Sequence, residues 1–240
     1  MNKEKKNIFD ELMSDYDVVK REEDNLVSLG FTEVGYEVKL GMSEMGHTLI
    51  SGISRSGKSR MAKSMLKSIV DFASVTIYSP KAQDYVEFMG DARVVSDINE
   101  FADLVLRVVG VLERRNESLL RKSIAKGKSV RCTDPPMLLV IDEFATASTM
   151  MDDGAMRALK RLIAEGAGLN IFLMIITQVA TKKVLSDGLK DNILTLIAFK
   201  ARDAYSSRMA IGNREAEFLR LGQGIVMNVD KKFKITRLHE

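Results

Sequence analysis

Short apolar runs alternate with amphipathic stretches from residue 47 onward. Continuous apolar runs predict strands that are buried on both faces, whereas apolar residues three or four apart predict helices with one buried side. We therefore expect strands at 47–51, 75–79, 92–96, 137–141, 171–177, 193–200, 224–229 and 232–237, and helices at 58–72, 98–122 and 154–165. Such apolar strands are typical of a mostly parallel central sheet flanked by helices, so the sequence predicts an α/β fold.

The first 30 residues have a different pattern. They are densely charged with both signs, and Asn7 is suited to cap a helix there. Apolar residues recur after it at helical spacing, at Ile8, Phe9, Leu12, Tyr16 and Val19. This predicts an amphipathic helix that either packs on its own domain or docks on a neighbouring subunit. We divide the chain into an N-terminal extension, residues 1–35, and a main domain, residues 36–240.

The composition mainly argues against certain kinds of site and protein. The net charge of +3 over 240 residues is too small to indicate nucleic acid by itself. Cys132 is the only cysteine, so an internal disulfide cannot form, which suits a reducing cytoplasm. No apolar run approaches the roughly 20 residues of a membrane helix, and no apolar signal core follows the charged start. We expect a soluble cytoplasmic protein without membrane contact, and no zinc site, because His47 and His239 lie far apart without cysteine partners.

A glycine-rich segment follows the strand at 47–51 and matches the P-loop pattern GxxxxGK[ST] in full. It consists of Gly52, Ile53, Ser54, Arg55, Ser56, Gly57, Lys58 and Ser59. The glycines allow the backbone to wrap tightly, so that successive N–H groups and a helix N-terminus face the phosphates of ATP. We expect Lys58 to reach the β- and γ-phosphates and the Ser59 hydroxyl to ligate Mg²⁺.

Polar residues also follow two other apolar strands. Asp142 and Glu143 end the strand at 137–141, where Asp142 is expected to hold Mg²⁺ together with Ser59, and Glu143 to orient and polarise the attacking water. Gln178 follows the strand at 171–177, and ligands of open α/β sheets bind at the carboxyl ends of strands. We expect Gln178 to sense the γ-phosphate and to relay hydrolysis to the next loop.

These motifs, in this order, resemble those of the FtsK/SpoIIIE motor domain, within the FtsK–HerA group of P-loop ATPases. The match spans about residues 36–229 and includes GHTLISG at 46–52, SPK at 79–81, ERR at 113–115, DEFA at 142–145, TQ at 177–178, DNI at 191–193, IAFK at 197–200, SR at 207–208 and AE at 216–217 with Gly222 and Gly224. The resemblance implies a RecA-like fold, ATP sites at subunit interfaces, and a homo-oligomeric, hexameric ring with double-stranded DNA in its pore.

The chain departs from the family pattern at several positions. Arg55 stands at a P-loop position that is usually glycine, and Val179 replaces an arginine after the TQ motif. Ala167 stands where the family usually has an arginine that could act across the subunit interface. We expect Arg208 to supply that charge instead, with Arg161 as the second choice. The segment before the Asp142 strand is also shorter than usual, and we expect no DNA-reading domain.

Two basic segments are candidates for DNA contact. The stretch from 107 to 131 has eight basic residues against two acids, and it is either a solvated face, a phosphate contact or a surface that pairs with an acidic neighbour. The loop after Gln178 carries Lys182, Lys183 and Lys190 and suits contact with DNA in the pore, the alternative being a plain exposed loop. Such contacts would bind phosphates and carry little sequence information.

Three functions remain open from the sequence. The first is a minimal ATPase that translocates double-stranded DNA for a plasmid or other mobile element, in transfer or replication, with a protein partner encoded by that element. The second is a viral genome-packaging ATPase of the same wide group. The third is a regulatory ATP-binding module that switches partner proteins without moving along DNA, and the missing arginine at Ala167 keeps it open.

Overall fold

The computed structural model describes residues 25–181, 184, 189–229, 231–236 and 238, so the helix predicted after Asn7 and both Lys182 and Lys183 lie outside the described residues. The strands are β1 (Leu26–Phe31), β2 (Glu37–Gly41), β3 (His47–Ser51), β4 (Ser74–Tyr78), β5 (Ala92–Val95), β6 (Met137–Ile141), β7 (Ile171–Thr177), β8 (Ile193–Phe199), β9 (Gly224–Asn228) and β10 (Lys231–Ile235). The α-helices are α1 (Met42–Met45), α2 (Lys58–Ile69), α3 (Ile98–Lys126), α4 (Phe144–Met150), α5 (Asp153–Glu165) and α6 (Ala204–Ile211).

The central sheet has eight strands in the order β10-β9-β8-β3-β7-β6-β4-β5. The six strands from β8 to β5 pair in parallel, whereas β9 and β10 are antiparallel additions at one edge. This confirms the predicted mostly parallel sheet. Every residue of β3 and β7 is buried, because both lie in the middle of the sheet between two layers of helices.

Each face of the sheet has its own apolar core. On one face, Leu139 and Leu173 pack with α3 and α5. On the other face, Val140 and Met174 pack with α2 and with the hairpin formed by β1 and β2. Alternate residues of β6 and β7 thus serve opposite cores, which is why these strands read as continuous apolar runs in the sequence.

The β1–β2 hairpin, α1, α4 and α6 were not among the predicted elements. Alternation was present in the hairpin, since Val27, Leu29, Val38 and Leu40 are all buried on α2, but its strands are short. The division predicted at residue 35 falls in the turn of this hairpin, between two strands that share one core. Within the described ranges, no helix combines the length and the apolar character needed to cross a membrane.

Candidate nucleotide-binding site

The P-loop connects β3 to α2 and wraps closely around Phe199 at the end of β8. Gly52 has a φ of +147° and Gly57 a φ of +119°. A Cβ atom at Gly52 would lie 2.8 Å from the Phe199 Cβ, and one at Gly57 would lie 2.8 Å from the Phe199 ring. Both positions therefore require glycine, for backbone conformation and for space.

Backbone hydrogen bonds hold the loop from two sides. The Ile53 N–H donates to the Lys200 carbonyl at 2.9 Å, and the Gly222 N–H donates to the Ser56 carbonyl at 3.0 Å. The Ser56 hydroxyl is buried and has no hydrogen-bond partner within the part of the chain that the structure describes. Since α2 begins at Lys58, its free N–H groups face the space enclosed by the loop, as an anion site requires.

Arg55 has a left-handed backbone, with a φ of +59°. The family pattern usually has glycine at this position, and the geometry gives the reason, because a side chain here costs roughly 1–2 kcal/mol. The P-loop of this chain keeps the glycine-type conformation without the glycine. The Arg55 side chain is exposed, as are those of Ser54 and Ser59.

Lys58 is buried, and its Nζ donates to the Ile53 carbonyl of the same loop at 2.9 Å. Burial lowers the pKa of Lys58, while the nearby Glu143 and Asp142 carboxylates act in the opposite direction. The ammonium group thus lies among the candidate catalytic groups, inside the loop that would bind phosphate. An anion in the loop would supply the charge partner that a buried ammonium lacks.

Asp142 follows the end of β6 and is buried, with a hydrogen-bond partner on each oxygen. Its Oδ2 accepts from the Ser79 hydroxyl and from the Tyr85 hydroxyl, both at 3.2 Å. Its Oδ1 accepts from the Glu143 N–H at 3.0 Å. Burial, followed by the charge of Glu143, raises the pKa of Asp142, whereas these hydrogen bonds lower it.

The donor set fits Mg²⁺. Asp142 is a buried carboxylate held in one orientation by hydroxyl donors, and Ser59 offers an accessible hydroxyl at the start of α2. Oxygen atoms are the ligands that Mg²⁺ prefers, and in proteins it usually takes only one or two of them together with substrate phosphates. The arrangement therefore suits a Mg²⁺ ion that arrives with a nucleotide.

Glu143 and Gln178 are in direct contact. Glu143 has a left-handed backbone with a φ of +53°, and its Oε1 accepts from the Gln178 Nε2 at 2.5 Å. The two residues follow β6 and β7, which are parallel neighbours, so their carboxyl ends are adjacent. The structure thus joins the predicted catalytic carboxylate to the predicted γ-phosphate sensor.

The two candidates for the interface arginine differ in their contacts. Arg208 is exposed on α6, and within the described part of the chain its side chain has neither an ion pair nor a hydrogen bond. Asp203, a possible partner, instead caps α6 by accepting from the Ser206 N–H at 2.7 Å. Arg161 pairs with Glu113 at 2.7 Å and with Glu165 at 3.2 Å, so its charge is already engaged between α3 and α5.

The predicted DNA contacts are only partly described. Lys190 Nζ donates to the Met209 carbonyl at 2.6 Å, and burial lowers the pKa of Lys190. In the basic stretch from 107 to 131, Arg115 donates to three backbone carbonyls, those of Leu169, Asn170 and Pro135, at 2.7 to 3.0 Å. Arg115 is therefore a structural connection within the chain.

Sequence reasoning missed three residues that shape the site, Ser79, Tyr85 and Phe199. The SPK motif drew notice to Ser79 only as part of a resemblance, and its bond to Asp142 spans 63 positions. Tyr85 lies in a short 3₁₀ segment, Ala82–Phe88, that no periodicity marks. Burial and the Asp142 charge raise the pKa of Tyr85, so it remains a hydrogen-bond donor.

Comparisons with solved structures agree on the fold. The conjugation coupling protein TcpA of pCW3, solved as a monomer with ATPγS, is 21% identical with a TM-score of 0.77, over 90% of this chain and 66% of TcpA. The cytoplasmic domain of the Type VII secretion ATPase EccC from Thermomonospora curvata is 19% identical with a TM-score of 0.74, and the match covers 91% of this chain and 29% of the EccC chain. The cytoplasmic domain of EssC is 17% identical with a TM-score of 0.75, and the match covers 90% of this chain and 44% of the EssC chain.

This chain spans less than two thirds of the length of each of these structures. No protein-family model matches its sequence, and no curated protein does. The structural likeness is consistent with the resemblance to FtsK/SpoIIIE motors that the sequence motifs carry. The chain has the RecA-like P-loop ATPase fold.

Proposed function

We propose that this chain is an ATPase motor of the FtsK/SpoIIIE type that hydrolyses ATP to move double-stranded DNA. The observation that carries the proposal is the hydrogen bond from Gln178 to Glu143 beside a complete P-loop. It connects the candidate catalytic carboxylate to the loop that bears Lys182 and Lys183.

The roles of the side chains follow from their positions. The P-loop N–H groups and Lys58 bind the phosphates of ATP and balance charge that develops in the transition state. Asp142 and Ser59 would hold Mg²⁺, which supplies positive charge at the β- and γ-phosphates when bound. Glu143 would accept a hydrogen bond from the attacking water, and release of its Oε1 by Gln178 would make it a stronger acceptor.

The same contact suggests how DNA would control hydrolysis. With Gln178 bound, the Glu143 Oε1 already accepts from an amide, which lowers the basicity of the carboxylate, and we expect basal hydrolysis to be slow. Contact of DNA phosphates with Lys182 and Lys183 would displace Gln178 toward the γ-phosphate and release Glu143. Lys190, held by Met209, would anchor the end of this loop rather than move with it. As a biological setting we propose DNA transfer by a plasmid or other mobile element, because TcpA is a conjugation coupling protein.

The direct test is the ATPase rate of the full chain with and without duplex DNA, measured beside the mass of the assembly. We expect duplex DNA to raise the rate and Gln178→Ala to abolish the difference while ATP binding persists. Lys182→Ala with Lys183→Ala should weaken DNA binding and reduce its salt slope by about 2, at roughly 0.9 per phosphate contact. ATP binding without stimulation by DNA would instead support a regulatory module.

A second experiment concerns the ring. In related phosphoryl transfer an arginine delivered by a neighbour accelerates hydrolysis by roughly 10³–10⁵-fold. We propose that Arg208 takes this role, since it is exposed and has no partner within the described residues. Mixing Arg208→Ala chains with Lys58→Ala chains should restore activity, because each ring then contains sites with an intact P-loop beside an intact arginine. If Arg208→Ala chains alone keep full activity, Arg208 does not have this role, and Arg161 should be tested in the same way.

A further inference from the structure

A groove of about 730 Å³ opens at the amino end of strands β4, β5 and β6, away from the nucleotide site at their carboxyl ends. Its apolar floor consists mainly of one side of α3, together with the first residue of β6. The floor residues are Leu104 and Val108, which are buried, and Val111 and Met137, which are half-buried. A groove of this volume with an apolar floor can hold a helix or peptide.

The rim of the groove is basic. Arg93, Arg107 and Arg114 line it, with Asp91 as the single acid among the lining residues. Arg93 pairs with Glu100 at 2.9 Å, whereas Arg107 and Arg114 are exposed and make no ion pair within the described residues. The groove therefore fits an occupant that is apolar on one side and acidic elsewhere.

The chain enters the described body beside this groove. Asn25, the first described residue, lines a small neighbouring cavity together with Pro136. The Pro136 carbonyl accepts from the Ser74 N–H at 3.0 Å, and both Ser74 and Met137 line the groove. Residues 20–24 can span up to about 17 Å, so the preceding segment can reach the groove of its own chain.

That segment has the matching composition. Residues 8–19 contain four acids, Asp10, Glu11, Asp15 and Asp17, and no basic residue. The apolar residues of the segment recur at helical spacing. As a helix, its 12 residues would be about 18 Å long, and α3 measures about 15 Å from Leu104 to Arg114. Charge, apolar pattern and length all agree with the groove.

We propose that residues 8–19 bind in this groove of their own chain as an amphipathic helix. Leu12 and Tyr16 lie on the α3 floor, and Glu11 and Asp15, which flank the apolar side at helical spacing, face Arg107 and Arg114. A helix of 12 residues is marginal in water by itself, so the segment becomes helical on docking. Docking covers apolar surface at the amino end of the sheet without touching the nucleotide site.

Tryptophan fluorescence tests the proposal in the full chain, which contains no tryptophan. Leu12→Trp places a single reporter on the apolar side of the segment, and Ser14→Trp places a matched one on the opposite side. We expect Trp emission from Leu12→Trp to be blue-shifted and its acrylamide quenching to be several-fold weaker than in Ser14→Trp. Adding Arg107→Glu and Arg114→Glu should raise the quenching of Leu12→Trp to the control level.

Equal quenching of the two reporters would overturn the proposal. Loss of the blue shift on dilution would also overturn it, because docking would then occur between chains. Disulfide trapping gives an independent measurement in a Cys132→Ser background. Leu12→Cys with Val111→Cys should form a disulfide within one chain, whereas Leu12→Cys with Lys122→Cys should not. Equal yields for both pairs, or disulfides found only between chains, would count against docking in the chain's own groove.

Discussion

The two ends of the parallel strands satisfy their polar groups differently. At the carboxyl end, Arg55 and Glu143 have left-handed backbones. Among the described residues, the Ser56 hydroxyl there has no hydrogen-bond partner, and the Lys58 Nζ donates to the Ile53 carbonyl of its own loop. At the amino end, Arg115 donates to three carbonyls, as described above. The difference indicates that strained backbone of residue types poorly suited to it is kept where a ligand would bind, while Arg115 fixes the opposite end by internal bonds. Unpartnered buried atoms do not separate the two ends, because the His47 Nε2 at the start of β3 also has no hydrogen-bond partner among the described residues.

Asn170 sharpens this contrast. It also has a left-handed backbone, with a φ of +55°, but asparagine tolerates this conformation better than arginine or glutamate. Its side-chain amide donates to the carbonyls of Cys132 and Asp134 at 3.3 and 2.9 Å. The amino end therefore uses a residue type suited to its backbone. Substitutions at the carboxyl end should affect chemistry, and those at the amino end should affect stability.

The largest effect is expected at Glu143. Glu143→Gln should lower kcat by on the order of 10³-fold, within the range for loss of a general base, because the amide cannot polarise the attacking water. ATP binding should remain, since Lys58 and Asp142 are unchanged and a glutamine oxygen can still accept from Gln178. Single-turnover hydrolysis and nucleotide titration separate the two steps. Hydrolysis at the wild-type rate would exclude Glu143 from catalysis.

Lys58→Ala should reduce turnover by roughly 10²–10³-fold through loss of transition-state charge balance, and it should also weaken ATP binding. Urea unfolding without nucleotide should show no loss of stability, because the mutation removes a buried ammonium whose pKa is lowered by burial. Lys67→Ala, an exposed lysine on the same helix, is the matched control and should leave turnover unchanged. Normal ATP binding by Lys58→Ala would contradict the P-loop assignment.

At the amino end, Arg115→Met should lower the free energy of unfolding by about 2–4 kcal/mol, because three carbonyls lose a charged donor. The methionine keeps much of the apolar stem, so the loss reports the hydrogen bonds. Lys122→Met on the exposed part of α3 should change stability by less than about 0.5 kcal/mol. The ATPase rate of folded Arg115→Met should be close to wild type. A large loss of rate would contradict the expectation that substitutions at the amino end affect only stability.

His47, at the start of β3, predicts a pH dependence of stability. It is buried, its Nδ1 accepts from the Leu173 N–H at 3.0 Å, and burial lowers its pKa from 6.5 to about 4. Because the folded pKa is below the unfolded one, the unfolded state binds the proton first as pH falls, and stability is lost from about pH 6.5 down to pH 4.

Between pH 7 and pH 5 the loss that comes from His47 should be about 2 kcal/mol. His47→Gln keeps an acceptor for Leu173 but cannot titrate, so its unfolding free energy should fall by about 2 kcal/mol less over this interval than that of the wild type. Urea denaturation of both proteins at the two pH values provides the measurement. Parallel losses would show that His47 is not the group that titrates.

The sequence predicted the central strands well, and the reason is physical. Strands β6 and β7 are buried on both faces, so they are apolar apart from Thr177, and each run ends where the chain leaves the sheet. Strand β3 is equally buried, although only Leu49 and Ile50 of its five residues are apolar. Asp142, Glu143 and Gln178 follow such runs, and Lys58 ends the P-loop that follows β3, which is why their approach to one another could be expected. The structure adds the contact between Glu143 and Gln178.

Contacts between distant segments could not be predicted in this way. Phe199 presses on the P-loop from β8, and Gly222 holds Ser56 from a turn near the end of the chain. These two contacts depend on tertiary packing, which leaves no periodic pattern in the local sequence. The short helices α4 and α6 were missed for a related reason, because serine, threonine and tyrosine lower their intrinsic helix propensity and packing must supply the difference.

The hydrogen bond between Gln178 and Glu143 also has a kinetic consequence. Both residues stand at the ends of adjacent strands in one sheet, so breaking the bond requires only side-chain rotation and no movement of a domain. Rotation of exposed side chains occurs in picoseconds to nanoseconds, whereas typical turnover takes milliseconds or longer. In the proposed mechanism the relay is therefore at equilibrium throughout the cycle, and we expect the arrival of DNA at the loop to set the moment of hydrolysis.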